Sequence, residues 1–167
     1  EIMERMGKAG VEAVPTQEQE GLVARVRARL RHHCHPEPGL NASVDRVIDL
    51  VRSTLECEHG RWILGSYQWS ASEQTLRRLI GGDWETLVLD RAFIESSPAG
   101  DTCWIIDYKS AHATGPIDQF LKSQEERYAP KMQAYRTALK ATGVNCPINT
   151  ALYFPAHKKL LITGRSA

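Results

Sequence analysis

Residues 103–109 read Cys-Trp-Ile-Ile-Asp-Tyr-Lys. The Trp104-Ile105-Ile106 run does not alternate with polar residues, so it predicts a strand buried on both faces, as at the centre of a sheet. An aspartate and a lysine follow it directly. A fold built on this segment must cover both faces of a sheet and still accommodate charge at one end of its central strand.

The flanking sequence supplies partners for that strand. Upstream, Trp84 to Glu95 predicts a strand with the core Leu87 to Ile94, and Ser96 to Asp101, with Pro98 and Gly100, predicts a hairpin loop. Ser72 to Ile80 predicts a further strand, ended by the turn signal Gly81-Gly82-Asp83. Downstream, Ala111 to Pro116 reads as a loop. Ile117, Phe120, Leu121, Tyr128, Met132, Tyr135 and Leu139 recur at helical spacing. Pro130 lies inside that pattern, which predicts a break or first turn there and a main helix over about 128–141, stopped by Gly143. Asn149 to Phe154 and Lys159 to Thr163 predict two closing strands.

The N-terminal third is helical in pattern. Glu1 to Gly7 reads as the tail of a helix. Thr16 and Gln19 fit a capping box before a helix over about 17–33, ended by Pro36, Pro38 and Gly39. Val44, Val47, Ile48, Val51 and Leu55 predict a second helix over about 43–58, with Gly60 as its stop, followed by the short apolar run Arg61-Trp62-Ile63-Leu64. The order is helix, helix, three strands, helix, two strands. It predicts an α/β or α+β layer with a mixed central sheet flanked by helices.

Composition narrows the functional classes. The chain has 167 residues, 42% hydrophobic and 25% charged, with a net charge of +1. These values fit one globular domain and exclude a disordered or low-complexity chain. No apolar run approaches the roughly 18 residues of a membrane span. Cysteines 34, 57, 103 and 146 include no C-x2-C pair, so a zinc ribbon or iron–sulfur cluster has no support; reduced thiols and a cytoplasmic location are expected. No P-loop motif occurs, so these residues contain no Walker-type ATPase.

Asp90, Asp107 and Lys109 carry the chemistry. Asp90 lies amid Leu87, Val88 and Leu89, and Asp107 ends the apolar run. Carboxylates there need a cation or a partner. A hairpin around the 96–101 loop sets both near one end of the sheet, and residues two apart on a strand share a face, so Asp107 and Lys109 point the same way. Two carboxylates and an ammonium suit phosphodiester hydrolysis assisted by Mg²⁺ or Mn²⁺, with Asp90 and Asp107 as metal ligands. The alternative is structural: Asp90 paired with Arg91 or another neighbour, and Asp107–Lys109 as an edge ion pair.

The hairpin Asp90-Arg91-Ala92-Phe93-Ile94 to Trp104-Ile105-Ile106-Asp107-Tyr108-Lys109-Ser110 resembles the nuclease motif of the PD-(D/E)XK superfamily. More narrowly, it resembles the RecB-like nuclease domain at the C-terminus of UvrD/Rep-type helicases. Gly60-Arg61-Trp62-Ile63-Leu64, Ala71-Ser72-Glu73 and Tyr128-Ala129-Pro130-Lys131-Met132-Gln133-Ala134-Tyr135 extend the likeness over about residues 60–140. It departs from the family pattern at Ser110, usually Thr, and at Lys131, usually Gln. On the resemblance, the family's active-site His would be expected before Glu1.

The resemblance implies a restriction-endonuclease-like fold over 1–167, with a helical part (1–59) and a sheet and catalytic core (60–167). It implies a Mg²⁺- or Mn²⁺-dependent deoxyribonuclease of exonuclease type, acting in double-strand-break repair and recombination. Asp90, Asp107 and Lys109 would be catalytic, and Tyr135, Lys131 and Glu73 supporting. Expected partners are single-stranded DNA ends, a helicase motor upstream in the same polypeptide, and a second subunit of AddB/RecC type, with no membrane. The alternative is a catalytically inactive nuclease-fold module for DNA binding or subunit docking.

Other features point less far. His32-His33-Cys34-His35 lacks the spacing of a metal site. Arg25, Arg27, Arg29 and Arg31 read as a solvated helix face. Tyr108 faces away from Asp107 and Lys109, which predicts a packing role.

Overall fold

In a computed structural model, residues 16–32 and 37–165 are described. The elements are α1 (Thr16–His32), α2 (Glu37–Glu56), α3 (Glu58–Ile63), β1 (Ser70–Ile80), β2 (Asp83–Ser97), β3 (Gly100–Tyr108), α4 (Ile117–Lys140), β4 (Ile148–Phe154) and β5 (Lys159–Gly164), with a 3-10 turn at Pro155–His157. The chain divides into two compact units, with the boundary between Ser66 and Tyr67. The predicted helix tail at Glu1 to Gly7 and His33, Cys34 and His35 lie outside the described residues. No helix among the described residues is long and apolar enough to cross a membrane.

The second unit is a five-stranded mixed sheet in the order β1-β2-β3-β4-β5. The non-alternating run does form the middle strand: Cys103 to Asp107 are all buried in β3. β3 pairs antiparallel with β2 and parallel with β4. A parallel neighbour needs a crossover, and α4 supplies it. Every residue of β4 is buried.

The hairpins follow from their turn residues. β1 and β2 join through Gly81 and Gly82, with φ of 59° and 99°. Both are positive, as the tight turn that suits strand twist requires, and glycine adopts them without steric cost. Around that turn Leu79, Ile80 and Trp84 are exposed. β2 and β3 join through Pro98-Ala99, because Ser97 already pairs with Gly100. That loop is shorter than the predicted 96–101 segment, since the strands extend into it on both sides.

The core of this unit unites the sheet with α4. Leu89, Ala92, Cys103, Ile105, Ile148 and Leu152 pack with Met132, Tyr135, Ala138 and Leu139 of α4. Leu87 and Ile94 pack against the same cluster. The core positions of β2 thus change from odd to even numbers, so its alternation slips by one residue around Asp90 and Arg91.

The break predicted near Pro130 does not occur: α4 is one helix of 24 residues, with Pro130 inside it. An interior proline costs about 3 kcal/mol. Each large apolar side chain buried on the sheet returns roughly 1.5–3 kcal/mol. Met132, Tyr135 and Leu139 on one side of Pro130, with Phe120, Leu121 and Tyr128 packed on the other, outweigh the lost hydrogen bond.

The first unit holds α1 to α3. Val26, Leu40 and Val44 form one buried cluster, with Leu22, Leu30, Val47 and Ile48 packed on it. Val51 and Leu64 form another. Arg27 of α1 donates to Asn41 of α2 at 2.6 Å, while Arg25, Arg29 and Arg31 are exposed. The predicted second helix starts earlier, at Glu37, because Pro38 is tolerated in a first turn where N–H groups have no partner. Gly60 is not its stop. It lies inside α3, where a Cβ would fall 2.0 Å from the Thr54 carbonyl oxygen. Glycine is there because two helices approach through it.

Candidate functional site

β2 and β3 stop pairing at Arg91 and Ile106. Beyond that point the Tyr108 N–H has no strand partner on β2, and the Asp90 carboxylate takes its place: Tyr108 N donates to Oδ2 at 2.8 Å. The other oxygen, Oδ1, accepts no hydrogen bond among the described residues. Burial, and then the nearby Asp107 charge, push the Asp90 pKa above its ordinary value, against the opposing pull of the Tyr108 N–H, Lys131 and Lys109.

Asp107 is 1% exposed. The Lys109 ammonium, two residues along β3, meets its Oδ2. Lys131 of α4 donates to its Oδ1 at 3.0 Å. The predicted common direction of Asp107 and Lys109 is therefore found as an ion pair, and Lys131 adds a second. Burial lowers the pKa of Lys131, but its contacts with Tyr135 and Asp107 outweigh that and raise it. It stays an ammonium through neutral pH.

Aromatic rings of α4 lie beside these lysines, the closer one at Lys109. Lys109 Nζ lies 3.9 Å from the Tyr128 ring centroid, a cation–π contact. Lys131 Nζ lies 5.1 Å from the Tyr135 ring, whose hydroxyl donates to the Val88 carbonyl at 2.7 Å. Tyr128, Lys131 and Tyr135 are three and four residues apart, so one helix face presents all three. In the sequence Tyr128 falls in the apolar stripe and opens the family-like Tyr128-to-Tyr135 stretch, with no site role assigned to it. Its position three residues before Lys131 was the available signal for a role beside the lysines.

Five of the six expected site residues come together: Asp90, Asp107, Lys109, Lys131 and Tyr135. Glu73 does not. The strand register sets it across from Asp90, but the ladder skips it. Its φ is 50°, a left-handed conformation unusual for a side-chain-bearing residue, and it is exposed. Among the described residues no group of three or more His, Cys, Asp or Glu side chains is placed to hold a metal ion.

The alternative pairing of Asp90 with Arg91 is absent. Arg91 is 1% exposed, and its guanidinium lies 3.4 Å from Ser72 Oγ and 5.7 Å from the Phe93 ring. Burial lowers its pKa, with Tyr108 and Tyr67 opposing. Tyr108 has the expected packing role. Its ring meets Tyr153 edge-on at 6.2 Å, and its buried hydroxyl makes no hydrogen bond.

Where β3 leads out of the site, His157 anchors the following loop by accepting the Ala113 N–H at 3.0 Å. Cys57, Cys103 and Cys146 form no disulfide, and burial, followed by the charge of Cys146, pushes Cys103 up to about 12.

In chemical terms the site holds two carboxylates and two ammoniums at the diverging end of β2 and β3. Hard carboxylate oxygens suit Mg²⁺ or Mn²⁺, and Asp90 Oδ1 is open to one, but each Asp107 oxygen already faces a lysine. No protein-family model matches the chain, and no curated protein matches it.

Proposed function

We propose that this chain is a metal-dependent DNA nuclease domain of restriction-endonuclease-like fold. The observation that carries the reading is the convergence of Asp90, Asp107 and Lys109 where β2 and β3 part. The likeness of the Asp90-to-Ser110 hairpin to RecB-like nucleases supports the choice of DNA as substrate. On the same likeness, the domain serves a RecB/AddA-like helicase–nuclease in double-strand-break repair. A motor in the same polypeptide and an AddB/RecC-type subunit would be its partners, and the cytoplasm its location.

Asp90 Oδ1 and Asp107 would hold the metal. When bound, Mg²⁺ or Mn²⁺ supplies Lewis-acid polarisation of the scissile phosphate. Lys109, steadied on Tyr128, is placed to stabilise charge that develops on the phosphate oxygens. Asp107 orients Lys109, and Tyr135 ties α4 to the backbone of β2.

The test is cleavage of labelled single-stranded DNA by the 167-residue chain in Mg²⁺ or Mn²⁺. Expected is degradation that EDTA, Asp107→Ala and Lys109→Ala each abolish. Cleavage that survives Asp107→Ala overturns the assignment.

The ion pair of Lys131 with Asp107 favours a second reading, a nuclease-fold module that docks DNA or a subunit without cutting. A docking module has no need to bind a divalent cation, so metal binding separates the two.

A further inference from the structure

We propose that Lys131 is a built-in competitor for the metal at Asp107: its ammonium holds Oδ1 and must be displaced before a divalent cation can bind. The inference rests on the nuclease reading of the site and adds to it a control on metal loading.

The two lysines on Asp107 are held unequally. Lys109 sits two residues from Asp107 on the same strand, and its backbone N–H bonds to the Tyr153 carbonyl at 2.8 Å. Its side chain is 13% exposed and lies against Tyr128. Lys131 reaches the carboxylate from α4, with a side chain 43% exposed. Its stem is long and flexible, and much of the side chain lies in solvent. Of the two, Lys131 is the one that can leave.

Charge gives the reason for it to leave. Two carboxylates and two ammoniums sum to zero, and a divalent cation added without any departure leaves the site at +2. Like charges at ion-pair distance repel strongly where water is scarce. Swinging Lys131 into solvent relieves that repulsion and frees Oδ1 at once. The site then exchanges an internal cation for an external one, and metal affinity is lower by the cost of the exchange.

The experiment is a Mn²⁺ titration by calorimetry on the full chain and on Lys131→Gln, Lys131→Ala, Lys131→Arg and the double variant K131Q/D107N. Circular dichroism checks each fold. Expected is Mn²⁺ binding at least about tenfold tighter in Lys131→Gln and Lys131→Ala, no gain in Lys131→Arg, and loss of binding in the double variant. Unchanged affinity in the Gln and Ala variants overturns the proposal, and so does unfolding of both, which would make Lys131 a structural counter-ion.

The same samples, given single-stranded DNA, separate the two ideas. Tighter Mn²⁺ binding without cleavage overturns the nuclease reading and leaves the role of Lys131 standing. Cleavage with unchanged affinity does the reverse. No Mn²⁺ binding in any variant overturns both.

Discussion

The Tyr108 N–H donates to the Asp90 carboxylate at 2.8 Å, so a side chain completes a strand ladder that the backbone of β2 has left. Asp90 therefore has a structural duty separable from any metal. Asp90→Ala leaves the Tyr108 N–H without its acceptor and costs about 1–3 kcal/mol. Asp90→Asn keeps an acceptor and is expected to keep the fold, while losing metal-dependent cleavage. Urea unfolding beside the cleavage assay reads both effects.

The raised pKa of Asp90 sets the sign of a pH effect. Between the ordinary carboxylate value and the raised one, the folded state binds more protons than the unfolded state. Stability contributed by this group therefore falls as pH rises through that window, and ionised Asp90 is a net cost at neutral pH. In EDTA, Asp90→Asn is expected to be more stable than the parent at pH 7, by a few degrees in Tm. That advantage should shrink as pH falls towards 4. An advantage that grows on acidification would contradict the burial of this carboxylate.

Tyr128 makes a prediction about Lys109. Tyr128→Phe keeps the ring beneath the ammonium and should leave cleavage near the parent rate. Tyr128→Leu removes it, costing about 0.5–2 kcal/mol of cation–π stabilisation and loosening Lys109. The turnover rate should fall for Leu and hold for Phe, while DNA affinity changes little in either.

Gly60 predicts a packing failure far along the chain from the carboxylates. A Cβ 2.0 Å from the Thr54 carbonyl oxygen cannot be accommodated without moving α3. Gly60→Ala should destabilise by at least about 2 kcal/mol, read by thermal melting. A melt like the parent's would mean the helices separate freely there.

The sheet was legible in the sequence because its signals are local. The Trp104-Ile105-Ile106 run marked the central strand, and Gly81-Gly82 marked the turn between β1 and β2. The pairing of Asp107 with Lys109 was legible for the same reason, since it depends only on strand alternation. Pro130 misled because its cost is local, whereas the compensating burial of Met132, Tyr135 and Leu139 depends on a sheet whose strands lie on both sides of the helix in sequence. The link from Lys131 to Asp107 spans 24 residues, and no periodicity within either segment announces it. Glu73 illustrates the converse. Its strand position was readable, but its left-handed backbone and exposure were not.

The crossover through α4 predicts an order of assembly for the site. The hairpin of β2 and β3 closes through two residues, Pro98 and Ala99, and brings Asp90 and Asp107 together cheaply. Lys131 arrives only when the chain between β3 and β4 has settled, because long-range closure costs more entropy. The carboxylates are thus expected to meet, with Lys109 already beside Asp107, before the helix ammonium reaches them. Changes at Pro98 or Gly100 should slow folding, whereas changes at Lys131 should chiefly speed unfolding. On that order, the electrostatic balance of the finished site is completed only when α4 docks.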